Sequence, residues 1–103
     1  MAVVSSRNGV PIRLTEERWQ HIVYHHREMN GQHMRVLETV AEPETIQQGD
    51  LGELLAVRFD PETPLTSKFL VVACREVSPN DGFILTAYLT RHLSARRTVV
   101  WKT

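Results

Sequence analysis

The stretch Gly82-Phe83-Ile84-Leu85-Thr86-Ala87-Tyr88-Leu89-Thr90 decides how this chain folds. Nearly every position is β-branched, aromatic or aliphatic, and the preceding Ser78-Pro79-Asn80-Asp81 has the composition of a compact hairpin connection, with Gly82 expected at positive φ. A period of two divides the run, with Phe83, Leu85, Ala87 and Leu89 on one face and Ile84, Thr86, Tyr88 and Thr90 on the other. The first set is expected to meet a helical layer, and the second to present hydroxyls on an open surface.

Working outward, residues 54–59, 69–77 and 98–101 have the same strand-like composition. Gln48-Gly49-Asp50-Leu51-Gly52 reads as the loop into the sheet, and Asp60-Pro61-Glu62-Thr63-Pro64 as a wide loop within it. The N-terminal half has a different period. Thr15 offers an N-cap, Glu16 and Glu17 suit the positive end of a helix dipole, and Trp19, Ile22, Val23 and His26 recur at i, i+3, i+4, i+7, so a helix is expected over about 15–29. Asn30-Gly31 supplies a left-handed stop, and Met34, Leu37, Val40 and Ala41 form the stripe of a second helix that Pro43 ends. Residues 1–9 read as a flexible start, and Val10-Pro11-Ile12-Arg13-Leu14 as a short extended stretch made edge-like by Pro11. Helices followed by strands predict an α+β domain over 10–103, with two N-terminal helices packed on a four-stranded antiparallel meander.

A chain of 103 residues with 42% apolar content suits one modest core. MAVVSSRNGV has neither the basic start nor the apolar stretch of a signal peptide, and no apolar run approaches the roughly 20 residues that span a bilayer, so a cytoplasmic location without a membrane partner is expected. Cys74 is the single cysteine, which excludes an intrachain disulfide and a zinc site of several thiolates; its apolar neighbours predict a packed side chain. Formal net charge is zero, which argues against a protein that grips nucleic acid by bulk charge. The charge is nevertheless uneven. Twelve acids against eight bases leave residues 1–81 at −4, while the last 22 residues carry Arg91, Arg96, Arg97 and Lys102 with no acid. Such a run could lie along a phosphate backbone, but is more often a solvated face or an edge strand protected against aggregation.

Three of the five histidines fall within Trp19-Gln20-His21-Ile22-Val23-Tyr24-His25-His26-Arg27-Glu28, and histidine is the side chain whose proton changes hands near neutral pH. His21 and His25 have the i, i+4 spacing of a metal pair and share a polar stripe with Glu28, but no third ligand is evident and the H-E-x-x-H glutamate is missing; no metal and no cofactor are expected. His26 falls on the apolar face, as either a packed histidine or a catalyst. On the hydroxyl-bearing strand face, Arg75 and Arg58 from neighbouring strands are expected to complete a cationic floor suited to a phosphodiester, the bland alternative being an ordinary solvated face.

Taken in order, Leu14-Thr15-Glu16-Glu17-Arg18-Trp19-Gln20-His21-Ile22, His26-Arg27-Glu28-Met29, Glu42-Pro43-Glu44-Thr45-Ile46 and Phe83-Ile84-Leu85-Thr86-Ala87-Tyr88 resemble the phage-type branch of the barnase, EndoU, colicin and RelE-like (BECR) nucleases, over about residues 10–102. Members carry short "R-W-x-H-I", "H-P-E", "P-x-x-I" and "T-A-Y" motifs with an Arg or Lys in a middle strand. The resemblance implies two helices before a four-stranded antiparallel sheet, and a site of His21, His26, Arg75, Thr86 and Tyr88 with Arg58 beside it; from the basic C-terminal run, Arg96, Arg97 and Lys102 are the expected substrate-binding cations. Arg27 stands where relatives have Pro. On an unbroken helix His21 and His26 diverge by about 140°, so either the helix ends near His26, or only one of them reaches the site and His25 substitutes.

The expected function is that of a toxin-like, metal-independent endoribonuclease, in which the 2′-OH attacks the adjacent phosphate to give a 2′,3′-cyclic phosphate. RNA is the expected partner, and the resemblance adds an inhibitor protein of the antitoxin or immunity kind. The alternatives are a non-catalytic RNA- or protein-binding module on the same scaffold and, last, a metal enzyme built on His21 and His25.

Overall fold

Ile12 and Leu14, from the short extended stretch expected to be edge-like, are among the most deeply buried side chains of the protein. The computed structural model describes residues 1–61 and 68–103, so the wide loop expected at 60–64 falls largely outside the described residues. Seven strands form one sheet: β1 (Ala2–Ser5), β2 (Pro11–Leu14), β3 (Thr45–Gln48), β4 (Leu54–Asp60), β5 (Lys68–Ser78), β6 (Asp81–Thr90) and β7 (Val99–Lys102). Their order is β1-β2-β6-β5-β4-β3-β7. Two helices, α1 (Glu16–His25) and α2 (His33–Ala41), lie between β2 and β3 in sequence, with a 3-10 turn at Arg27–Met29 between them. The α+β class agrees with expectation, whereas the four-stranded antiparallel sheet is corrected to a seven-stranded mixed one, in which β2 runs parallel to β6.

The central β4-β5-β6 meander is the part that strand composition predicted. Two strands escaped it, and a third was foreseen but misplaced. Residues 1–9, expected to be flexible, contain β1, which pairs with β2 through a turn at Ser6 to Val10; the Asn8-Gly9 pair within that turn is a hairpin signal. β3 is short and ends in two glutamines, yet Gln47 is buried because its amide donates to the Ser94 carbonyl at 3.2 Å. β7 was expected beside β6. Residues 91–98 instead carry the chain across the sheet, and β7 pairs with the far edge of β3.

α1 begins as predicted, with the Thr15 hydroxyl accepting from the Arg18 N–H at 3.1 Å. It ends at His25, not near Met29, because His26 takes up φ −131° and ψ 81° and the chain continues as the 3-10 turn. Gly31 is left-handed as expected. α2 stops before Pro43 but is rotated from the predicted phase: Val36, Thr39 and Val40 are buried, whereas Met34 faces solvent.

The helices cover the inner face of the sheet, where Ile12, Leu14, Val72, Cys74, Ile84 and Ala87 meet Ile22, Met29, Val36 and Val40. Burial of each large aliphatic chain here contributes about 1.5–3 kcal/mol. A second, smaller cluster occupies the outer face, where Leu55, Val57, Val71 and Ala73 lie under Phe69, Leu85, Tyr88 and Leu93. Arg7, just after β1, holds its guanidinium 4.8 Å from the Trp101 ring on β7, so the sheet curls enough to bring its first and last strands together. No helix among the described residues is long and apolar enough to cross a membrane.

Candidate functional site at the open edge of the sheet

Strand β6 does not keep one alternation. Opposite the β5 pair Ala73 and Cys74 lie Thr86 and Ile84, so Leu85 is an extra residue, a β-bulge. Its consequence is a change of face. Ile84, expected outside, is in the inner core, while Leu85, expected inside, joins the outer cluster. Phe83, also expected against the helices, is in register with Arg75 and stacks under the Arg13 guanidinium at 5.5 Å. Beyond the bulge, Ala87 and Leu89 face inward as predicted, Thr86 registers with Ala73, and Tyr88 lies in the outer cluster. Registered partners on an antiparallel ladder share a face. Tyr88, Thr86, Phe83 and Arg75 therefore lie along one strip of the outer face. Arg75 registers four β5 positions from the partner of Tyr88, about 13 Å along the strand.

β2 covers only the start of β6, pairing at Gly82 and Phe83, so the rest of that edge has no strand beside it. The end of α1 and the 3-10 turn occupy the gap. Arg18 reaches the carbonyl of the bulged Leu85 at 3.4 Å. The His26 ring lies against Tyr88, with centroids 5.8 Å apart and planes inclined at 35°. Glu28 accepts from the Leu89 N–H at 3.5 Å, and the same oxygen is 3.8 Å from Nδ1 of His26. The break in α1 thus follows from edge coverage: leaving the helix at His26 turns the imidazole toward β6 and gives an unpaired strand N–H an acceptor. This happens with Arg27 in the position where the resembling family has Pro.

The other expected residues are dispersed. His21 stays on the exposed side of α1, beside Thr15, Glu17 and Arg18, with its ring 4.5 Å from that of His25. Among the described residues, no group of three His, Cys, Asp or Glu side chains is arranged to hold a metal ion. Arg58 does not share the outer face with Arg75: it registers with the inner-face Leu70 and donates to the Glu42 carbonyl at 2.8 Å, beside α2. The strict alternation of β4 sends position 58 to the same side as Ala56. Arg75 points its guanidinium at the Leu51 carbonyl, 3.4 Å away. Arg97 pairs with Asp50 at 2.9 Å, and together with Arg96, Ser94 and Gln48 they line a depression of about 400 Å³ near the same loop. Lys102 registers with Thr45 on the edge strand β7. Cys74 is packed in the inner core, and burial pushes its thiol up to about 12.

Three residues at or beside the edge were overlooked as site residues. Arg18 and Glu28 stand inside the quoted motifs, one residue before Trp19 and two after His26, and these positions were the available signal. Arg13, paired with Asp81 beside Phe83, had none. Comparisons with protein-family models, curated proteins and solved structures return no match.

Proposed function

We propose that this protein is a metal-independent endoribonuclease acting at the uncovered edge of β6. The observation that carries the reading is the His26 imidazole against Tyr88, on an edge that continues into a strip bearing Thr86 and Arg75. A proton-exchanging ring, a phenol, a hydroxyl and guanidinium groups within one short strip are the parts an in-line phosphoryl transfer needs. The 2′-oxygen attacks the adjacent phosphorus as His26 takes its proton; the bond from phosphorus to the 5′-oxygen breaks, and Tyr88 protonates the leaving oxygen. The products are a 2′,3′-cyclic phosphate and a 5′-hydroxyl, and proton exchange with solvent resets both side chains. Thr86 and Arg18 attend the reacting phosphate. Arg75, about 13 Å along the strand from Tyr88, engages a neighbouring phosphate.

The test incubates purified protein in excess EDTA with a mixed-sequence RNA and its DNA counterpart, followed by analysis of product ends. Cyclic-phosphate ends on RNA alone are expected, with losses of roughly 100-fold or more in His26→Ala and Tyr88→Phe. Arg75→Ala is expected to raise KM more than it lowers kcat. Cleavage of DNA would refute a mechanism that depends on the 2′-OH. Intact RNA with salt-sensitive binding would instead identify a binding module on the same face. An inhibitor protein of the kind implied by the resemblance would have to cover this edge.

A further inference from the structure

We infer that Glu28 is the positioning residue of this site and that it fixes which nitrogen of His26 carries the proton. This rests on the ribonuclease reading, and it assigns His26 the role of base through a group outside the reacting atoms. One carboxylate oxygen of Glu28 stands between two donors, the Leu89 N–H at 3.5 Å and Nδ1 of His26 at 3.8 Å. The first contact holds the carboxylate to the sheet edge, where no strand competes for that N–H. The second is a short side-chain adjustment from a hydrogen bond, and catalytic hydrogen bonds are often long before substrate arrives. A carboxylate can only accept. It therefore favours the neutral imidazole with hydrogen on Nδ1, which leaves the Nε2 lone pair free to take a proton. The local backbone serves the same end. The Met29 N–H donates to the His26 carbonyl at 2.9 Å, and fully buried Met29 anchors the turn that carries both His26 and Glu28. Half-exposed side chains at both positions leave room for a phosphate without exposing the anchor.

The experiment records nitrogen-15 spectra of the imidazole rings in wild type, Glu28→Ala and Glu28→Gln, above the pH at which histidine titrates, alongside RNA cleavage. The wild type is expected to show His26 as the Nδ1–H tautomer. Glu28→Ala should move it toward the Nε2–H form, with kcat at least about tenfold lower and KM within twofold. Glu28→Gln, whose amide oxygen still accepts, should restore part of both. A tautomer identical in wild type and Glu28→Ala overturns the inference, whatever the activity. Loss of kcat with an unmoved tautomer also overturns it, reducing Glu28 to a cap on the strand edge. A wild type that holds the Nδ1–H tautomer but leaves RNA intact refutes the ribonuclease reading and, with it, the catalytic role of Glu28, while the pairing itself stands.

Discussion

Gly82 illustrates how a residue can be required for a reason other than the expected one. Its φ is not positive; a Cβ there would come within 2.5 Å of the Ile12 side chain and 2.7 Å of the Arg75 carbonyl. Close approach of β2 to β6 is what demands the missing side chain. Gly82→Ala is expected to destabilise the fold by about 1–3 kcal/mol, read as a lower urea midpoint at unchanged m. Cys74 makes a second prediction at this scale. Burial raises its thiol from 9.0 to about 12, so the folded chain keeps a proton that the unfolded chain releases. The unfolded state then binds fewer protons, and this contribution to stability, fully present below about pH 9, is lost as pH rises toward 12. Urea titrations between pH 8 and 11 should show that decline, and a thiol reagent should label Cys74 only after unfolding.

At the scale of elements, β1 and the bulge in β6 matter most. β1 is joined to the rest of the sheet through β2 alone, yet the segment following it also supplies Ser6 and Asn8, which both donate to Glu76 on β5. A chain lacking residues 1–9 therefore exposes the edge of β2 and leaves Glu76 without these donors. Loss of about 1–3 kcal/mol is expected, a fall in Tm of several degrees for a domain of this size, measurable by calorimetry. The bulge acts differently. By reversing the faces at Leu85, it brings Phe83 onto the face that Thr86 and Tyr88 share with Arg75, while keeping Ile84 and Ala87 in the core. A regular strand would have put Phe83 on the inner face and Ile84 on the outer one.

For the whole molecule, the zero net charge and the dispersed arginines limit how much RNA binding can come from phosphate contacts. Arg58 faces away from the strip, and Arg13, Arg35 and Arg97 already pair with Asp81, Asp60 and Asp50. With only a few free cations near the site, the affinity for single-stranded RNA should fall with salt at a log–log slope no steeper than about −3. Fluorescence anisotropy from 50 to 300 mM salt measures it. Arg75→Ala should make the slope shallower by about 0.7, whereas Arg58→Ala should leave it unchanged.

The sequence by itself determined the α+β class, the Thr15 cap, the buried state of Cys74, the β4-β5-β6 meander and the outward direction of Thr86 and Tyr88, because periodicity, caps and apolar runs act over neighbouring residues. Only the tertiary structure decided the rest. β1 and β3 are four-residue strands with no stability or signal apart from the neighbours that complete their hydrogen bonds, and β7, legible as a strand, was placed by a partner far earlier in the chain. The end of α1 at His26 was decided by the vacant edge of β6, and the place of Phe83 beside Arg75 by a bulge that appears only when β5 and β6 are aligned. Long-range pairing assembled the candidate site, since the contacts of His26, Arg18 and Glu28 with β6 each join the helical half of the chain to a strand more than fifty residues later.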